Sequence, residues 1–205
     1  NVRAGDTSGI DATGGSVSIG AGDSMNEAGS AGGSVSISGG SGNGATGGSL
    51  LLVSGGSISG TSGSVLLESR DTGADGDSGA VSIKTGSSST GHTGSITLET
   101  GDSREGPAGG INIRVGTGSS FDQERSAKGG EVYIGAGTST AATGGDITLS
   151  SGGSSATTSG SVNILTRNAG VQGASGSIVL SSGTSSAANS GYVSIATGNS
   201  MESVS

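Results

Sequence analysis

Three carboxylates, Asp71, Asp75 and Asp77, lie close together in the stretch Arg70-Asp71-Thr72-Gly73-Ala74-Asp75-Gly76-Asp77. Such carboxylates could converge on a Ca²⁺ ion as hard oxygen ligands. Calcium-binding roll repeats of the GGxGxDxUx type place an Asp in every turn. Here the acidic cluster occurs once, so a hydrated surface loop is the favoured reading. The lone His92 has no neighbouring His or Cys to share a metal with, and the chain has no Cys. Ser is abundant, but no G-x-S-x-G elbow is followed by an Asp and a His. A Ser without a base is not a nucleophile. Stretches such as Gly39-Gly40-Ser41-Gly42 lack the helix and Lys of a phosphate loop. The expectation is no catalytic residue, no cofactor and no resident metal.

A repeat must position these loops. The aliphatic pairs Val17/Ile19, Val35/Ile37, Leu50/Leu52, Val65/Leu67, Val81/Ile83 and Ile96/Leu98 share one pattern. It continues in Ile111/Ile113, Val132/Ile134, Ile147/Leu149, Val162/Ile164, Ile178/Leu180 and Val193/Ile195. Successive first members are 18, 15, 15, 16, 15, 15, 21, 15, 15, 16 and 15 residues apart. We number each repeat from the Gly two residues before the pair, so the aliphatics hold positions 3 and 5. Position 8 is again Gly in all but two repeats, where Arg70 and Arg167 stand. Position 10 is mostly Ser.

Residues two apart share one face of a strand. Gly tolerates positive φ, so the two recurrent glycines read as corners. A short fixed period signals a solenoid. The predicted fold is therefore all-β: a single-chain parallel β-solenoid (β-helix) with about 15 residues per coil and about twelve coils, stacked roughly 4.8 Å apart. Positions 3 and 5 would face inward, opposed by the small residue at position 10. Residues 1–205 would form one continuous domain. Glu68, Lys84, Glu99 and Arg114, all at position 6, would stack as a ladder of alternating charge. Asn1-Val2-Arg3-Ala4-Gly5 begins inside a repeat, which suggests a segment of a longer array.

Composition narrows the function classes. Hydrophobic residues make up 29% and aromatics 1%, too little bulk for a rounded core. Net charge is −8, with no basic stripe and almost no stacking platform, so nucleic acid is not an expected partner. No apolar run approaches membrane-spanning length.

Departures from the repeat mark candidate contact surfaces. Leu51, Val53 and Leu66 place apolar groups at positions expected to face outward, as do Leu165 and Val179. Such clusters on a polar wall suggest interaction sites. Three insertions fall between positions 8 and 1, near Asp23 to Glu27, at Arg70 to Asp77, and at Ser119 to Lys128. The largest carries Phe121, another candidate contact.

The segments GGSVSISGGSGNGATGGS (32–49) and SGSVNILTRNAGVQGASGS (159–177) resemble the Gly/Ser-rich repeat regions of extracellular, cell-surface structural proteins of diatoms and related algae. The resemblance covers essentially the whole chain and rests on composition and repeat pattern. It implies an extracellular or cell-surface location and a non-catalytic structural role in a fibre, surface appendage, adhesive or cell-wall layer. The expected partners are other copies or other chains of that layer, with a polysaccharide as a further candidate. The alternative is an ice-binding, antifreeze-like β-solenoid. Its outward face varies in residue type and carries the charge ladder, whereas ice needs a flat, uniform array. A polysaccharide-acting β-helix enzyme is disfavoured, because no acidic pair recurs on adjacent repeats.

Overall fold

The computed structural model describes residues 2–9, 12–25, 29–73, 76–119 and 127–199. The chain divides into two units, Asn1–Leu98 and Glu99–Ser205. Both are built from the same repeat, and both lack regular secondary structure among the described residues. No helix there is long and apolar enough to cross a membrane.

Each repeat has two parts. Positions 2–7 carry the aliphatic pair and make no backbone hydrogen bond to the matching positions of another repeat. Position 8 to position 1 of the next repeat forms a loop. In the loops named here its neck is closed by one backbone hydrogen bond. The Gly48 N–H donates to the Gly40 carbonyl at 2.8 Å, and Gly63 to Gly55 at 2.8 Å. Gly33 to Gly22, Gly145 to Gly137 and Gly160 to Gly152 do the same at 2.9 Å. Gly15 closes on Gly5 at 3.0 Å.

The longest loop, between Gly116 and Gly130, keeps a neck bond of 3.4 Å. The insertions before Gly33 and Gly130 thus enlarge the loop and leave the neck in place, whereas the neck after the Arg70 to Asp77 insertion is open. The retained necks fit the slow growth of closure entropy with loop length.

Serine at position 10 fixes the bend inside the loop. Its Oγ accepts the N–H three residues on. Ser57 takes Gly60 at 2.9 Å, Ser88 takes Gly91 at 2.9 Å, and Ser103 takes Gly106 at 3.1 Å. Ser139, Ser154 and Ser185 take Ala142, Thr157 and Ala188 at 2.9, 2.9 and 3.0 Å. A short hydroxyl side chain is the group that can mimic a backbone turn in this way.

The all-β fold, a single-chain parallel β-solenoid of about twelve coils, is therefore corrected. Among the described residues there is no strand, and no residue is buried. Ile83, Leu98 and Ile113, expected inside, are 66, 70 and 71% exposed. Where the neck is closed it supplies a physical reason; the repeats of Ile83 and Leu98, flanked by open necks at Gly79, Gly94 and Gly109, lack strands without it. A stacked coil needs position 1 of one repeat beside position 1 of the next. The neck instead holds position 8 beside the next position 1. An extended run from position 1 to position 8 spans about 23 Å, far beyond a 4.8 Å stacking distance. A closed neck and in-register stacking exclude each other.

Two details of the expected coil change as well. Positive φ occurs at Gly29, Gly44 and Gly76 among the described residues, and at none of the position-1 or position-8 glycines. Position-10 Ser does not oppose an aliphatic wall; it caps its own loop.

Candidate functional site

No candidate catalytic group is set in an enclosed site among the described residues. An open concavity is lined by Glu68, Ser69, Arg70 and Asp71, all exposed. Of the Ca²⁺ candidates, Asp75 lies outside the described residues. Asp71 and Asp77 are exposed, and no group of three His, Cys, Asp or Glu among the described residues could hold a metal. His92 is exposed in its loop. Phe121 also lies outside the described residues.

The expected charge ladder does not form within either unit. Among the described residues the one ion pair joins Arg3 and Asp6 at 2.6 Å. Glu68 and Lys84 of the first unit are not within ion-pair distance, nor are Glu99 and Arg114 of the second. Without stacked coils nothing brings successive position-6 side chains together.

The apolar candidates are exposed, as are the repeat's own aliphatics. Leu51 and Leu66 at position 4 are 81 and 76% exposed, Val53 is 73%, and Val179 and Leu165 are 79 and 69%. Position 3 is the more covered row. It runs from 51% at Val35, Val81, Val132 and Ile178 to 64% at Val65. Position 5 runs from 63% at Ile37 to 88% at Ile195. The alternation of the sequence survives as a gradient of exposure, with half or more of every aliphatic in these two rows still open to water.

Two rows of glycine show where backbone comes close. At position 1, a Cβ would meet another atom of the chain in all twelve repeats, at 3.0 Å for Gly48 and 3.8 Å for Gly109. The atoms met belong to the neck: the Gly40 nitrogen for Gly48, and the Val115 Cβ at 3.1 Å for Gly130. Position-1 glycine is thus set by the neck of its own loop. At position 8 the result is opposite. Gly22, Gly40, Gly55, Gly86, Gly101, Gly116, Gly137, Gly152, Gly183 and Gly198 have nothing within 4 Å of a Cβ position.

Position 7 bears on the neck. In repeats with Thr there, namely Thr85, Thr100 and Thr166, the neck bond is not made. The Thr85 Cγ2 lies 3.6 Å from the Cβ site of Gly94, yet branching alone does not open a neck, since Val115 at the same position leaves the Gly130 neck closed at 3.4 Å. In one of these repeats the Thr100 hydroxyl instead donates to the Gly109 carbonyl at 3.2 Å. The necks at Gly79 and Gly191, which follow Ser69 and Ser182, are open too, and nothing at position 7 explains them. A separate local adjustment involves Tyr133. Its ring lies over Gly135, where a Cβ would fall 2.6 Å from the phenol oxygen.

Neck, capping serine and position-7 branch were missed as a unit by sequence reasoning. The signal was present: Gly eight before Gly, with Ser two after the first, is a closed loop with an internal hydroxyl-capped turn. No protein-family model, curated protein or solved structure matches this chain.

Proposed function

We propose that this chain is a non-catalytic structural repeat module. It works outside the cell, in a fibre, surface appendage, adhesive or wall layer, with other copies or other chains as its partners. The observation that carries this reading is the exposure of the aliphatic rows. Twelve position-3 residues, evenly recurring, are each at least half open to water in the single chain. Six such residues fall in each unit, and large exposed apolar surface marks contact with something else. The resemblance of the repeats to algal cell-surface proteins supports the location.

The ice-binding alternative needs a flat wall made by stacked coils. There are no stacked coils among the described residues, and that reading is not carried forward.

Immunolabelling of intact source cells with antibody raised to residues 1–205 tests the role. Label on the outer layer of unpermeabilised cells is expected. Label that appears only after permeabilisation would contradict an extracellular structural role.

A further inference from the structure

We infer that three copies of this chain associate side by side, parallel and in register. Positions 2–7 of each repeat pair with the same positions of the two neighbouring copies. The inference rests on the structural role above and deepens it by naming the partner and the contact.

Three independent observations lead there. The first is area. The chain exposes 20,519 Å². A compact monomer of its 18.9 kDa mass would expose about 8,300 Å². The difference, about 12,000 Å², exceeds the 2,000–5,000 Å² typical of obligate interfaces. The second is hydrogen bonding. Positions 2–7 leave N–H and C=O groups unpaired within the chain among the described residues, and in the seven repeats with a closed neck that neck forbids stacking on the next repeat. These groups form two free edges, and free edges invite another chain.

The third is the position-8 glycine row. Ten glycines recur there with no positive φ and no atom of the same chain within 4 Å of the Cβ site. Gly costs more backbone entropy than Ala. Nothing inside the chain accounts for that cost, whereas close approach of a neighbouring backbone does.

The repeat identifies the occupant. A partner that meets position 8, position 3 and both edges in every repeat must itself carry steps of 15 and 16 residues with the same interruptions. A second copy in register has them; an unrelated chain does not. Stoichiometry follows from the edges. Two copies satisfy one edge of each segment. The smallest set of chains that gives every segment a different neighbour on each edge is three, winding about one axis so that each segment lies between segments of the two other copies. The half-covered aliphatic rows would face that axis, and the closed loops would project away from it.

Light scattering coupled to size exclusion, on residues 1–205, tests the inference. A mass three times that of one chain, or a multiple of that, is expected. A monomer, a dimer or any mass that is not a multiple of three chains would overturn it. The double substitution Gly137→Val and Gly152→Val adds bulk where the single chain has open space. It should leave the necks to Gly145 and Gly160 intact and raise the dissociation constant at least tenfold. The milder pair Gly137→Ala and Gly152→Ala should lie between, and serves if the valine variant fails to fold. Trimers of unchanged affinity in both variants would overturn the proposed contact. Cell-surface labelling is independent of these results, so a monomeric surface protein would refute the trimer and leave the structural role standing.

Discussion

The position-1 and position-8 glycines look alike in the sequence and differ in the fold. Position 1 is closely approached by its own chain at Gly15, Gly33, Gly48 and Gly130, and is in ordinary contact with it in the other repeats. Position 8 is open in every repeat where Gly occurs. The first row is explained by intramolecular geometry and the second is not. The difference separates two layers of organisation. Seven loops are closed by the chain's own neck bonds, while the segments between loops make no such bond to one another among the described residues.

The comparison can be broken most severely at the crowded row. In Gly48→Val the new Cβ would sit 3.0 Å from the Gly40 nitrogen, so the neck backbone must give by a few tenths of an ångström and the 2.8 Å neck bond is expected to weaken. Forced bulk in a filled space costs about 1–3 kcal/mol. We expect new proteolytic cleavage within 41–47, measured by limited digestion and mass spectrometry. The same substitution at Gly55, an open site, should leave the loop 56–62 as resistant as before. Equal sensitivity in both variants would erase the distinction between the rows.

The cap is expected to be next in size. Ser154 Oγ accepts from the Thr157 N–H at 2.9 Å and the Ala156 N–H at 3.3 Å, and shares a hydrogen with the Thr157 hydroxyl at 3.1 Å. Ser154→Ala should weaken the loop by about 0.5–1.5 kcal/mol. Faster amide exchange at Thr157 is the readout. The capped amides of Ala142 and Ala188, at the same bend of two other loops, should be unchanged and serve as internal references.

A smaller effect of opposite sign tests position 7. Thr85→Ala clears the methyl that faces Gly94, allowing the neck to close as it does at Gly145. The Gly94 amide should then exchange a few-fold more slowly. Unchanged exchange would mean that the β-branch is not what holds this neck open. The smallest effect is at Arg3. Its pair with Asp6 is largely exposed, and Arg3→Ala should leave the melting temperature within error.

Much of the repeat is legible in residue type alone. The 15-residue step, the aliphatic pairs and the recurrent Gly and Ser all read directly. Pairing does not. A period-2 pattern such as Val81-Ser82-Ile83 tells which side chains share a face. It does not tell whose backbone supplies the neighbouring strand, because intrachain and interchain pairing ask for the same side chains. Gly40 and Gly48 both read as corners. Their separate meanings depend on the neck bond, which brings together residues eight apart and has no signature in hydropathy. The ladder of Glu68, Lys84, Glu99 and Arg114 failed with the stacking it presupposed. The apolar group of Leu51, Val53 and Leu66 is exposed, but so are the repeat's own aliphatics, so exposure does not single it out. The sequence pattern had no means of showing that Leu50 and Leu52 are exposed with them.

Amide exchange at positions 3 and 5, measured at Val81, Ile83, Ile96 and Leu98 in concentrated and in highly diluted protein, tests the central claim most directly. Segments that pair only between copies should be protected at high concentration and lose that protection on dilution. The neck amides of Gly48 and Gly145 should stay protected in both. Protection of Val81, Ile83, Ile96 and Leu98 in the dilute, monomeric chain would contradict the account, because it would show that the chain pairs with itself.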